Sequence, residues 1–449
     1  MAGRRMLRNT KMETRLAVVA EKPKQAGEIR SRWEWTEPSV WTENMLTALE
    51  KGVKGGKWFS LIDKVWDERN LRASFEKVKS NRGASGIDGK SIHEFEGRLD
   101  CELWRISEQI RNETYAPQAV RRVWIPKPGS KEKRPLGIPT VKERVTQTAL
   151  RNVIEPIFER IFSSNSFGFR PGMGCKDALR MVDALLKAGF IWIVDADLKA
   201  YFDSIPHEKL MVEIEKEISD GRILKLIRQY LKQKVLEGLE GWTPDEGTPQ
   251  GAVISPLLAN IYLNPLDHKM AEEGRRMIRY ADDFVILCKT REEAEEALET
   301  VRQWTKEAGL TLHPEKTRLV NATEESFEFL GYRFAKGLRY PRKKSLDKFR
   351  DKVRRITRRA NGHSLDNIIS RLNPSLIGWF GYFKHSRKNV FKDIDGWIRM
   401  RLRSILRKRQ GRKGRAKGVD NHRWPNKFFV EHGLYSLSAA HFKICQSRY

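Results

Sequence analysis

The chain has 449 residues, 39% of them hydrophobic, and carries 86 Lys+Arg against 58 Asp+Glu, a formal charge of +28. That length allows roughly two to four domains around a sizeable core, and the composition excludes a disordered or collagen-like chain. So large a one-signed charge points to a polyanionic partner, and it is uneven: from Arg333 to Arg423, 29 Lys+Arg face 6 Asp, a net +23.

No apolar run is long enough to span a bilayer, and the start, MAGRRMLRNTKMETR, lacks the apolar block of a secretion signal. A cytoplasmic protein with no membrane partner is expected. Cys101, Cys175, Cys288 and Cys445 are far apart and form no Cys-x-x-Cys pair, so neither a sequence-local zinc site nor a disulfide framework is indicated.

Residues 1–30 read as a polar, charged arm. Trp33, Trp35, Trp41 and Trp58, with Met45, Leu46 and Leu49 among them, predict short helices anchored in a core by their rings. Leu61, Val65, Leu71, Phe75 and Val78 have helical spacing, and a second helix is expected over 92–112. The Gly-rich loop at 81–89 between them lacks the Gly-Lys-Ser/Thr of a P-loop. Over 120–139 two short strands flank Pro128-Gly129 in a strongly basic hairpin. Lys and Arg on a rigid hairpin suit a triphosphate, and they suit generic contact with a nucleic-acid backbone as well. Helical spacing follows through Val145, Ala149, Leu150, Val153 and Ile154, and again over 176–187.

At Ile191-Trp192-Ile193-Val194 an apolar run ends in Asp195 and Asp197, two apart and therefore on one face of a strand. A buried acid needs a partner or a metal. Residues 207–239 alternate charged and apolar residues with helical period, and a Gly/Pro turn at 247–251 feeds a nearly all-apolar, buried helix. Over 277–287 apolar residues flank the bare pair Asp282-Asp283, predicting strand, tight turn, strand. Adjacent carboxylates repel. They are tolerable as an ordinary acidic hairpin tip, and useful where a cation sits between them, as in two-metal phosphoryl transfer. A charged amphipathic helix at 291–308, a turn into a strand at 309–317 and a strand at 327–333 follow. From Ser345 onward helices are expected near 345–359, 364–385 and 390–410, then a Gly/Lys/Arg-rich loop and a closing element at 423–429. Arg354, Arg355, Arg358 and Arg359 fall on the first of these helices as two i,i+4 pairs in one stripe.

Taken together, IPKPGSKEKRPLGIP, SFGFRPGMGCKDAL, VDADLKAYFD, GTPQGAVISPLLANIYLNPLD, YADDF, GLTLHPEKT, FEFLGY and LNPSLIGWFGYF resemble, in order, the blocks of a bacterial group II intron reverse transcriptase/maturase. The resemblance implies an α+β chain: a right-hand polymerase with fingers and an antiparallel palm sheet, then an all-α three-helix thumb or maturase domain. It divides the chain into an arm and short helices (1–60), fingers and palm (61–335) and a basic helical thumb (336–449).

By that resemblance Asp197, Asp282 and Asp283 are the catalytic carboxylates and hold two Mg²⁺ ions, for which Mn²⁺ can substitute; Leu198 joins the metal-binding set. Lys127 and Arg134 match finger residues on the incoming dNTP, with Lys199, Ala200, Tyr201, Phe202, Gln250 and Gly251 completing its site. The ring that discriminates against a ribose 2′-OH is Phe202, with Tyr201 as the alternative. Lys316 fits a general acid for the leaving pyrophosphate, and fits a solvated turn lysine almost as well. Phe329, Leu330, Gly331 and Tyr332 match the primer grip, and Arg354, Arg355, Arg358, Arg359, Arg401 and Arg403 are expected to bind RNA.

The implied activity is RNA-directed DNA synthesis, joined to assisted splicing and retrohoming of a group II intron. Intron RNA, an RNA template with DNA primer, target DNA and dNTPs are the expected partners, in a cytoplasmic, nucleoid-associated setting. One rival is a relative of the same fold serving DNA repair, phage defence or a CRISPR locus. Another is an RNA-binding splicing cofactor without synthesis, against which the intact Asp197, Asp282, Asp283, Lys127 and Arg134 argue. Many members of the family carry a zinc-containing endonuclease after the thumb; no Cys-x-x-Cys pairs follow it here, and that domain is expected to be absent.

Overall fold

Alternation of side chains along short apolar segments builds the centre of the molecule. The computed structural model describes residues 26–126, 133–360 and 362–446. Among them, eleven strands run in chain order: β1 (Val120–Pro126), β2 (Lys133–Ile138), β3 (Trp192–Asp197), β4 (Val235–Glu237), β5 (Glu240–Trp242), β6 (Arg276–Tyr280), β7 (Asp283–Cys288), β8 (Arg318–Asn321), β9 (Ser326–Phe329), β10 (Tyr332–Ala335) and β11 (Leu338–Pro341).

The central sheet has the order β6-β7-β3-β8, with every pair antiparallel. Val194, Ala196, Phe284, Ile286 and Met277 pack into the largest core, beneath helices Ser255–Glu272 and Arg291–Ala308. Ile193, Val285, Leu287, Ile278 and Val320 pack into a second core on the opposite face, with helix Cys175–Lys187 and β9–β10. With both faces covered, a one-residue slip would send each apolar set into the other core and carry Asp195, Asp197 and Asp283 into the largest core, where an unpaired charge is costly, so the register is strongly specified. The same alternation fixes where the acids go: Asp195 and Asp197 follow Ile193 on the second face. Helix Ser255–Glu272 is apolar nearly all round and buried, as expected.

A second sheet, β2-β1-β4-β5, holds the basic hairpin. Here the expectation of helix over 207–239 is corrected. Helices His207–Glu217 and Gly221–Leu231 part at Asp220, whose carboxylate caps the second helix and also accepts from the backbone of Leu61 and Ile62. The chain then turns back as the β4–β5 hairpin, and β4 takes the free edge of β1 in parallel. The expected helices at 61–80 and 92–112 are likewise each in two pieces, broken at Asp67 and at Gly97–Arg98. Trp33, Trp41 and Trp58 are buried in the main core, with Trp41 Nε1 donating to the Asn152 carbonyl at 2.9 Å, so these rings are anchors.

Helices Lys343–Ile356, Leu365–Phe383 and Lys388–Arg409 enclose a separate core of Val353, Ile368, Leu372, Leu376, Phe391, Ile398 and Leu402. Trp424, Phe429 and Leu437, from the short segments that follow, close it. The first of the three helices ends at Ile356, earlier than expected. The Thr357 hydroxyl donates to the Val353 carbonyl at 2.7 Å and accepts from Arg401 Nε at 2.7 Å, which stops the helix. Arg358 and Arg359 therefore lie beyond it, and the i,i+4 stripe does not form. Strand structure also runs on through β11 to Pro341, past the expected 335/336 division. Among the described residues no helix is long and apolar enough to cross a membrane.

Candidate active site

The register of β3 on β7 sets Asp197 directly opposite Asp283. Asp195 lies two residues back on the same face, and Asp282 sits in the two-residue turn, Ala281-Asp282, that joins β6 to β7. Like charges directly opposite in a sheet destabilise it. Burial pushes the Asp195 and Asp282 carboxyls up from the ordinary range, and the charge of Asp197 adds to both. Asp283 is pushed up to about 7, by burial first and then by the charges of Asp195, Asp282 and Asp197. Two cations answer this cluster directly: Arg318 Nε stands 3.2 Å from Asp195 Oδ2, and Lys316 Nζ 2.6 Å from Asp197 Oδ2. Among the described residues Asp282 and Asp283 have no ion pair. The end of the sheet is thus a half-buried surface with an excess of acidic groups over the cations paired to them.

Fingers residues approach it from the side. Gly137 N donates to the Gln250 carbonyl at 2.6 Å, and a Cβ on Gly251 (φ +104°) would stand 2.3 Å from the Gly137 oxygen. Only glycines allow β2 and the 250–251 loop to meet backbone to backbone. Gln250 Nε2 donates to Asp203 Oδ2 at 2.9 Å. Arg134 is exposed on β2, and its charge draws down the Asp203 and Asp282 carboxyls against the burial that raises them. Lys127 lies outside the described residues.

Leu198 is buried, while Lys199 and Ala200 are exposed; Ala200 has φ +49° and leads into the short 3₁₀ turn Tyr201–Asp203. Tyr201 is buried and its hydroxyl donates to the Ala259 carbonyl at 2.6 Å. Phe202 is half-buried, set edge-on to Tyr201 with ring centroids 5.6 Å apart. Leu330 (φ +47°) and Gly331 (φ +80°) form the turn between β9 and β10, flanked by buried Phe329 and Tyr332. Tyr332 Oη donates to the Tyr382 carbonyl at 2.6 Å and Tyr382 Oη to that of Leu330 at 2.7 Å, tying this turn to the C-terminal bundle.

Arg354, Arg355, Arg358 and Arg359 are exposed, Arg354 being paired to Asp351 at 2.6 Å. Arg401 is half-buried against Thr357. Arg403 is a correction: it is buried, its Nε donates to the Trp424 carbonyl at 2.9 Å and its Nη2 to Asn426 Oδ1 at 2.8 Å, so its fork is spent inside the bundle. Sequence reasoning also passed over Arg279, fully buried beneath the Ala281-Asp282 turn.

Hard carboxylate oxygens with excess negative charge suit a hard divalent cation. Among the described residues no three carboxylate, imidazole or thiolate groups converge tightly enough to enclose an ion unaided. A cation of the Mg²⁺ kind keeps several waters and shares substrate phosphates, so an open carboxylate edge is the donor set it uses.

Comparison with known proteins gives this arrangement its class. Residues 125–334 match the family model for reverse transcriptase (RNA-dependent DNA polymerase), and residues 346–424 the model for the group II intron maturase-specific domain. Protein YkfC of Escherichia coli K12 is 32% identical over 342 residues, covering 67% of this chain and 85% of that one. The group II intron-encoded protein LtrA of Lactococcus lactis subsp. cremoris is 39% identical over 194 residues, which span 43% of this chain and only 32% of LtrA. Among solved structures, a chain of a partial Cas6-RT-Cas1–Cas2 complex is 25% identical, covers 55% of this chain and 41% of its own, and overlaps with a TM-score of 0.36. This chain belongs to the family of group II intron-encoded reverse transcriptases with a maturase domain. Divalent metal use comes with that family.

Proposed function

We propose that the protein copies RNA into DNA by extending a primer with dNTPs, and that it binds its group II intron RNA, assists its splicing and serves its retrohoming into target DNA. The observation that carries the synthetic part is the pairing of Asp197 with Asp283 beside Asp282. Lys316 and Arg318 answer Asp197 and Asp195, and among the described residues no ion pair answers Asp282 or Asp283. Held there, two Mg²⁺ ions, or Mn²⁺ in their place, supply the Lewis acid that favours a primer 3′-oxygen nucleophile and offsets charge on the departing pyrophosphate.

The chain's own residues do the rest. Asp197, Asp282 and Asp283, with the carbonyl edge at Leu198, form the anionic floor. Arg134 and Lys127 hold the triphosphate, a task suited to guanidinium and ammonium donors. The Gln250–Gly251 loop lies against the nascent pair, with Lys199 and Ala200 lining the approach. Phe202 is the ring set beneath the sugar: its neighbour Tyr201 is buried with its hydroxyl committed, which supports Phe202 over Tyr201. Lys316, beside Asp197, is placed to give a proton to the pyrophosphate oxygen. Phe329 to Tyr332 hold the primer strand, and the exposed arginines at 354, 355, 358 and 359, with Arg401, contact RNA phosphates. The maturase-domain match supports the intron reading over a role in repair or defence.

Primer extension on an RNA template, with Asp197→Asn beside the wild type, tests this. The wild type extends and the variant does not; a wild type that binds intron RNA yet makes no DNA would support the splicing-cofactor reading instead.

A further inference from the structure

The turn carrying Asp282 has no glycine. Ala281 holds φ +59°, a left-handed conformation that costs a non-glycine residue about 1–3 kcal/mol and persists only where its surroundings impose it. Those surroundings can be named. Arg279, on β6, is fully buried. Its Nη1 donates to the Ala281 carbonyl at 2.9 Å and to Asn260 Oδ1 at 2.9 Å; its Nε donates to Asp267 Oδ1 and Oδ2 at 2.8 and 3.0 Å, and its Nη2 also reaches Asp267 Oδ2. Asn260 and Asp267 lie seven residues apart on helix Ser255–Glu272, hence on one face of it. Asn260 Nδ2 donates in turn to the Gly168 carbonyl at 2.7 Å, and Gly168 is pressed so close that a Cβ there would stand 2.3 Å from Ala281 N.

A buried ion pair is poor evidence of stability, since apolar residues of like volume often do as well or better. What apolar residues cannot supply is a rigid fork that binds a helix carboxylate, a helix amide and the turn's own carbonyl at once. We infer that Arg279 is a positioning residue: with Asp267 and Asn260 it forms a buried bracket that fixes the Ala281-Asp282 turn, and so sets Asp282 and Asp283 where they act. This rests on the proposed polymerase reading. It extends it from the carboxylates to the residues that aim them.

The full chain carrying Arg279→Met with Asp267→Leu tests the inference, because it removes both charges together. Template–primer affinity and the dNTP KM should stay within about threefold, while kcat falls about 100-fold, the cost of misplacing a reacting group by about an ångström. Mn²⁺ titrated into the nucleotide-free protein and followed by electron paramagnetic resonance should bind about tenfold more weakly, since the ligands are no longer preset. A folded double variant with kcat and Mn²⁺ affinity near wild type overturns the inference. Should the double variant not fold, Arg279→Lys decides: the charge against Asp267 is kept and the fork is lost, so a fall in kcat with unchanged KM supports the bracket, and near-normal kcat overturns it. Failure of the polymerase reading itself looks different, because the wild type would then not extend a primer.

Discussion

In the central sheet, four carboxylates gather within two strands and a turn, half-buried, with two cations paired to them. In the C-terminal bundle the imbalance is reversed and spread out: Arg355, Arg358 and Arg359 face solvent on and after one helix. The sheet's charge is focused by register and desolvation: β pairing sets Asp195, Asp197 and Asp283, and the turn sets Asp282. The bundle's charge is diffuse and screened, so its effect grows with the number of cations and varies with salt. On the proposed reading, one region holds small cations at a reaction centre and the other grips a long polyanion.

Substitutions within either region should separate these two behaviours. Lys316→Met removes the ammonium beside Asp197 and the proposed proton donor. It should lower kcat about 100-fold with RNA affinity unchanged. A kcat that matches the wild type would leave Lys316 as a solvated turn lysine. Phe202→Ala should raise rNTP incorporation relative to dNTP about tenfold or more in steady-state assays if, as proposed, the ring takes the space a 2′-OH would need. Tyr201→Ala should act mainly on stability, through the missing bond to Ala259, and a reversal of these two results would exchange their roles.

Within the bundle, Arg355, Arg358 and Arg359 changed together to Ala should reduce the slope of log K against log salt by about two to three, roughly 0.7–0.9 for each phosphate no longer neutralised. Arg403→Ala should leave that slope alone and destabilise the fold by about 2 kcal/mol, since it strands the buried Trp424 carbonyl.

A pH-dependent effect concerns Asp283 in the metal-free protein. Its folded carboxyl is pushed up to about 7 by burial and by Asp195, Asp282 and Asp197. Its unfolded value lies near 4, as for a free aspartate. Between those values the folded chain holds a proton that the unfolded chain has released, so stability falls as pH rises through this window and levels off above it. Asp283→Asn should therefore raise Tm at pH 8, by about 1 °C per kcal/mol relieved for a chain of this length, with the gain vanishing near pH 4. Thermal melts at the two pH values in the presence of a chelator measure it.

Much of the site was legible because its signals are local. Asp195 and Asp197 end an apolar alternation, Asp282-Asp283 interrupt another, and the mostly apolar run that follows the Gly/Pro turn, up to Leu263, reads as a buried helix. What escaped depends on distant partners. β4 is three residues long and exists because β1 offers an edge more than a hundred residues away. The helix at Ile356 stops where Arg401, from another helix, takes the Thr357 hydroxyl. Arg403 turns inward toward the Trp424 carbonyl, which helical spacing alone does not reveal. Arg279 did leave a trace: an arginine inside an apolar strand and Asp267 inside an apolar helix are complementary charges, each out of place until paired.

A single pair of assays sets the two regions against each other on the same preparations. Primer extension and filter binding of RNA would be compared for the wild type, for Asp282→Asn and for the triple variant at Arg355, Arg358 and Arg359. Asp282→Asn should abolish extension while RNA affinity stays within about threefold; the triple variant should bind RNA more weakly, with less salt dependence, yet extend normally once bound. Near-normal extension by Asp282→Asn, or a loss of RNA affinity in step with its loss of extension, would contradict the assignment of chemistry to the sheet and of RNA grip to the bundle.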